Sequence, residues 1–215
     1  MSGYFITLEG PDGSGKTGQI TPLAEYLRSC GHDVLTTREP GGTLIGDQVR
    51  NVIMDLANKG MNPRTEILLF QASRVQIVEQ VIRPALQAGK VVICDRYADS
   101  TLAYQGYGHQ TDLDFLNKLL HFVTGGLKPD LTLLLDLEVE EGLHRRQKGG
   151  GEWNRLDDYD VEFHQRVRAG YHQLVDLEPN RWEVIDARQT KDTIQNDLRR
   201  IVTQRLATPV SERKK

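Results

Sequence analysis

The chain has 215 residues, 38% hydrophobic and 27% charged, a composition that supports a self-sufficient core and excludes the disordered and collagen-like classes. Its 27 Lys and Arg against 30 Asp and Glu leave a net charge of −3, which excludes a dominant nucleic-acid or anionic-membrane surface and confines any phosphate binding to local basic pockets. The two cysteines, Cys30 and Cys94, exclude a disulfide framework, and no apolar window reaches the ~18 residues of a membrane span.

The amino-terminal stretch MSGYFITLEG carries neither a basic leader nor a long apolar run, so a cytoplasmic protein is expected. Tyr4 to Leu8 is the first run of strand type, and a helix is predicted from about Gly15 to Cys30. Ile20, Leu23, Ala24 and Leu27 fall at core spacing in that helix and Gly31 is its stop. Pro22 lies inside it, and the lost backbone bond predicts a local kink. Further strands are read at Val34 to Thr37, Lys90 to Cys94, Leu131 to Asp136 and Trp182 to Ile185, with longer helical patterns between them. Cys94 ends the apolar run Val91-Val92-Ile93, which predicts a buried thiol. Phe115, Leu116, Leu119, Leu120 and Val123 follow helical spacing, as core or as subunit contact. Gly149-Gly150-Gly151 predicts a flexible surface loop between two helices, and the tail Ser211 to Lys215 is expected to fray. This βαβ alternation implies a three-layer α/β fold, a five-stranded parallel sheet flanked by helices, in a single domain over 1–215.

The first strand runs into Gly10-Pro11-Asp12-Gly13-Ser14-Gly15-Lys16-Thr17, which matches G-x-x-x-x-G-K-[ST] between a strand and a helix, the context the P-loop requires. Glycines let successive N–H groups curl around phosphate oxygens, and the helix N-terminus adds a favourable dipole. Lys16 can then reach the terminal phosphates of a nucleotide while the Thr17 hydroxyl ligates Mg²⁺. This motif alone leaves switch GTPase, motor ATPase and small-molecule kinase open. The absence of N-K-x-D and the short chain favour a kinase. Asp95 ends a strand where parallel-sheet ligands gather and is the first metal-side carboxylate; Asp136 is the second candidate. Without H-E-x-x-H spacing or a Cys/His cluster, no metal beyond nucleotide-bound Mg²⁺ is expected.

Asp95-Arg96-Tyr97, Thr37-Arg38-Glu39-Pro40-Gly41-Gly42-Thr43 and Ala103-Tyr104-Gln105-Gly106 resemble the bacterial thymidylate kinases, P-loop nucleoside monophosphate kinases, from about Gly3 to Leu206. The resemblance implies a homodimer that moves the γ-phosphoryl of MgATP onto dTMP, giving dTDP on the route to dTTP, with no nucleic-acid or membrane partner. It implies that Phe70 stacks on thymine and Arg74, one turn on, reads its edge, while Arg38, Arg50 and Arg96 line the monophosphate pocket, Arg38 alternatively holding the Glu39-Pro40 loop, and Glu39 is among the substrate-binding residues. Asp12 faces the sugar 3′-hydroxyl in that family. Ser100, Thr101, Tyr104 and Gln105 surround thymine and sugar, and Tyr104 closes the 2′ side. The segment 145–157 corresponds to a mobile LID. Because Gly13 occupies a P-loop place where another branch carries arginine, the charge-stabilising arginine is expected there: Arg155 first, with Arg145 near ATP and Arg146 or Lys148 as substitutes. Catalysis would then rest on Lys16, Arg155, Arg145 and Asp95.

Overall fold

The computed structural model describes residues 3–149 and 153–207. In chain order it builds β1 (Tyr4–Glu9), α1 (Lys16–Ser29), β2 (Val34–Arg38), α2 (Leu44–Met54), α3 (Pro63–Ile77), α4 (Arg83–Gln87), β3 (Val91–Asp95), α5 (Ala98–Thr101), α6 (Leu113–Thr124), β4 (Leu131–Asp136), α7 (Val139–Lys148), α8 (Val161–Leu177), β5 (Trp182–Asp186) and α9 (Lys191–Ala207). The five strands form one parallel sheet in the order β2-β3-β1-β4-β5. All five expected strands are present; four differ from their expected bounds by a single residue at one or both ends, and β4 coincides with its expected range.

A parallel strand covered on both faces must be apolar on both, and β1 is buried at all six positions. Successive side chains point to opposite faces. Ile6 and Leu8 of β1, with Val91, Ile93, Leu131, Leu133 and Leu135, therefore meet α1 and α9. Phe5, Val92 and Cys94 turn the other way, onto Ile77, Val78, Ile82 and Tyr97. The Leu134 and Trp182 side chains on that second face pack against α6 and α8. Cys94 is buried as expected.

Ile20, Leu23, Ala24 and Leu27 of α1 are buried, in agreement with their spacing, and the helix runs unbroken through Pro22. Pro22 does not end the helix, because the missing donor costs one intrahelical bond and the surrounding turns stay anchored on the core. Gly150, Gly151, Lys214 and the rest of the tail from Ser211 lie outside the described residues. Two π-helical segments, Val78–Ile82 and Leu102–Gly108, interrupt the helical regularity, and the second carries Tyr104 and Gln105. Among the described residues no helix is long and apolar enough to cross a membrane.

Candidate active site

The C-terminal ends of β1, β2 and β3 are side by side, with Leu8 and Arg38 both in register with Asp95. That end of a parallel sheet is where ligands bind in open α/β folds. Here the strands deliver Arg38 and Asp95 to a cleft of about 350 Å³, with Glu9 buried just beneath it. The loop from Gly10 to Gly15 turns through glycines at φ 141° (Gly10), 78° (Gly13) and 88° (Gly15), values that side chains other than glycine's resist. A Cβ on Gly13 would collide with the Gly142 carbonyl, so α7 lies directly against the loop.

Lys16 is buried and folded back: its Nζ donates to the carbonyls of Gly10 and Pro11, both at 2.8 Å, and to Ser14 Oγ at 3.1 Å. Burial, reinforced by Arg96, pushes its ammonium down to about 8 against the pull of Asp12, Asp95 and Glu9. The Thr17 hydroxyl donates to Asp95 Oδ2 at 2.6 Å. A hydroxyl and a carboxylate side by side at the cleft are hard oxygen donors of the kind Mg²⁺ takes, with room for waters and phosphate oxygens, so these residues fit that ion. The rival, Asp136, is instead clamped by Arg168 at 2.8 and 2.9 Å and faces His172 at 3.3 Å.

Arg96 follows β3 in a left-handed conformation, φ 66°, which is costly for a side chain of this size. Its guanidinium donates to Asp12 Oδ1 (2.7 Å), Tyr104 OH (3.1 Å), Ser100 Oγ (3.2 Å) and Tyr171 OH (3.1 Å). Beneath it Glu9 accepts from Tyr97 N–H (2.7 Å), Ser100 Oγ (2.6 Å) and Tyr171 OH (2.9 Å). Burial and the neighbouring Asp99 lift the Glu9 carboxyl to about 7, against Arg96, Ser100 and Tyr171. Asp12 goes the other way: burial alone would raise it, but Arg96, Lys16 and the Tyr104 hydroxyl hold it at about 2.

Arg38 and Arg50 line the same cleft as Arg96. Arg38 pairs with Asp47 at 3.0 Å, and Arg50 donates to the Pro40 carbonyl at 3.0 Å. Burial, followed by the like charge of Arg38, lowers the Arg50 pKa. These three guanidinium groups and Lys16, with Arg146 also on the lining, converge on one cavity and favour an anion between them.

The far wall is apolar. Phe70 packs with Ile53 and Leu156 while still lining the cleft, an arrangement suited to stacking a planar ring. Thr101 and Gln105 line it as well. Arg74 is 1% exposed and does not reach the cavity surface. It donates instead to Glu39 (2.7 Å), Gln71 (2.8 Å), Thr101 (2.8 Å) and the Tyr97 carbonyl (3.0 Å), so any direct reading of a base edge by Arg74 is replaced here by contacts beneath the wall. Glu39 lines the cleft; its second carboxylate oxygen is buried without a partner, and burial raises its pKa against the attraction of Arg74.

The LID-side arginines depart most from expectation. Arg155 is 3% exposed and donates to the Ile53 carbonyl (2.8 Å), Tyr159 OH (2.9 Å) and Glu66 (2.6 Å), away from the phosphate loop. A buried carboxylate within reach captures its guanidinium, so the expected γ-phosphate contact does not hold in this conformation. Arg145 pairs with Glu141 and donates to the Ala187 carbonyl, and it does not line the cleft either. Arg146 does line it, alongside Asn154 and Leu156, and is held by Asp157 at 3.0 Å. Lys148 ends α7 and is outside the cleft lining.

The residues missed from sequence are Glu9, Glu66, Tyr171 and Leu156. Glu9 had a signal, an acid directly at the end of the mostly apolar run Tyr4 to Leu8, and Glu66 sits one turn before Phe70. Nothing local marks Tyr171, which comes from α8 to hold Arg96 and Glu9 from beneath the cleft.

Comparisons with known proteins converge on one family. The family model described as thymidylate kinase matches residues 8–198. A thymidylate kinase of Roseiflexus sp. (strain RS-1) is 47% identical, with 95% of each chain covered. That of Deinococcus radiodurans is 48% identical over 94% of this chain and 98% of its own. The crystal structure of thymidylate kinase from Ehrlichia chaffeensis superposes with a TM-score of 0.76 at 35% identity, covering 94% of this chain and 99% of that one. With a P-loop at the strand ends, an arginine-lined cleft and near full-length similarity, this chain belongs to the thymidylate kinase family.

Proposed function

We propose that the chain transfers the γ-phosphoryl group of ATP to dTMP, giving dTDP and ADP. The observation that carries this reading is the sharing of one cleft by the phosphate loop, three arginines and the Phe70 wall. Phosphoryl transfer needs positioning and charge neutralisation rather than a protein nucleophile. In this reading Lys16 exchanges its loop carbonyls for phosphate oxygens, and Arg38, Arg50 and Arg96 hold the monophosphate, whose own oxygen attacks. Thr17 and Asp95 would hold Mg²⁺, which when bound neutralises phosphate charge. Arg146 is the LID-side cation nearest this task, beside Asn154 and Leu156 on the same side of the cleft. Phe70 stacks on the base, Ser100 flanks the sugar, Tyr104 closes the 2′ side, and Asp12 accepts from the 3′-hydroxyl.

We also propose a homodimer. Leu68 and Val75 on α3 and Phe115 and Phe122 on α6 are seven residues apart in pairs, and Phe122 is 82% exposed. Two such stripes on helices that pack together form an apolar face that a second copy can cover.

Acceptor-dependent ADP release tests the function. The expected order is dTMP fastest, dUMP detectable but slower, and CMP, GMP and thymidine near background, since a missing methyl is worth only about 1 to 3 kcal/mol. Equal rates with all acceptors, or release that ignores them, would overturn it.

A further inference from the structure

The hydrogen-bond polarity of the base wall is dictated by two buried charges behind it. Glu66 on α3 is fully buried and collects four partners from two other segments: Gln105 Nε2 at 2.7 Å, His109 Nε2 at 3.2 Å, Arg155 at 2.6 Å and Tyr159 OH at 2.9 Å. Burial would raise its carboxyl, but His109, Gln105 and Arg155 hold it at about 2, so it is an ionised group that only accepts. The Gln105 amide must therefore turn its nitrogen toward Glu66. Among the described residues nothing donates to the Gln105 amide oxygen, and Gln105 lines the cleft. On the same wall Arg74, which only donates, fixes the opposite polarity at Thr101. Its own bond and that of Gln71, at 2.8 and 3.2 Å, both end on Thr101 Oγ1, and among the described residues no acceptor takes the Thr101 hydrogen.

We propose that Glu66 is a positioning residue for acceptor choice: it fixes Gln105 as a hydrogen-bond acceptor beside the donor Thr101, an edge complementary to keto pyrimidines bearing a ring N–H and opposed to amino pyrimidines. The inference rests on the dTMP kinase reading above and adds the origin of its base discrimination. An amino pyrimidine places a lone pair where Gln105 also has one and an N–H₂ where Thr101 has a hydrogen, so both contacts become repulsive or stay unmade. Arg155, in this arrangement, acts from beneath the wall by supplying the countercharge of Glu66, and Leu156 next to it packs on Phe70.

Steady-state kinetics with dTMP and dCMP test this. Glu66→Gln, which allows the Gln105 amide to reverse, is expected to lower the dTMP-to-dCMP ratio of kcat/KM at least tenfold. The change should come mainly through the KM for dTMP, with the KM for ATP within about threefold of the parent. Gln105→Leu should lower the ratio comparably, and adding Glu66→Gln to it should cause no further loss, because the two act through one contact. Should Glu66→Gln fold poorly with Arg155 left unpaired, Glu66→Gln/Arg155→Met removes both charges and is expected to show the same lowered ratio. An unchanged ratio in a folded Glu66 variant or in Gln105→Leu, or losses that multiply in the double variant, overturns the inference. A parent enzyme that does not phosphorylate dTMP overturns the underlying reading instead.

Discussion

Lys16 donates to two loop carbonyls that a nucleotide phosphate would replace, and its ammonium is held down at about 8 chiefly by burial. A phosphate anion restores the preference for the charged form, so nucleotide binding near pH 8 is expected to take up protons. Titration calorimetry in buffers of different ionisation heat measures that uptake, and Lys16→Ala should abolish it. Glu9 gives a second pH signature. Its carboxyl is raised from 4.5 to about 7, mainly by burial, so the folded state holds a proton that the unfolded chain has released across that window. Its contribution is full below pH 4.5 and is lost as the pH rises through 7, on the order of 3 kcal/mol. Glu9→Gln removes the titration while the Ser100 and Tyr171 hydroxyls can reverse to suit an amide. Denaturant unfolding at pH 5 and pH 8 should show the variant gaining on the parent at the higher pH; a constant gap would refute the assignment.

At the scale of elements, α7 is the connection between the phosphate loop and the LID side of the cleft. Its Gly142 faces the Asp12 carbonyl so closely that a Cβ there would collide with backbone, and Gly13 mirrors the contact from the loop. Gly142→Ala is expected to push α7 off the loop and to lower kcat by tenfold or more while leaving the melting temperature within a few degrees, since the core clusters do not include it. Unaltered turnover would show that the contact has no part in closure. The strand bounds and the ends of α1 were legible because short apolar runs, Gly-rich turns and the P-loop are local signals. The π-helical segment Leu102–Gly108 was not: the widened turn that aims Tyr104 and Gln105 depends on the packing of α8 beneath it.

The whole molecule joins residues far apart in sequence at the open ends of three strands and leaves an apolar face on α3 and α6. Light scattering should give the mass of two chains, and Leu68→Asp/Phe122→Asp should reduce it to one, because charges on both stripes cannot be buried unpaired. A parent already at one chain mass would remove the dimer from the proposal.

By itself the sequence determined the parallel α/β architecture and the phosphate loop, since each is written in contiguous patterns whose physics is local, and the resemblance to a known family supplied most of the cleft's residues. The tertiary structure alone decided which arginine faces the cleft. Arg155 and Arg146 lie nine residues apart on one short arm with the same charge and reach, and only the buried carboxylate of Glu66, brought from α3, draws Arg155 away from the cavity that Arg146 lines. Guanidinium groups go where burial and a counterion place them, and a counterion from a distant segment leaves no mark in the neighbouring sequence.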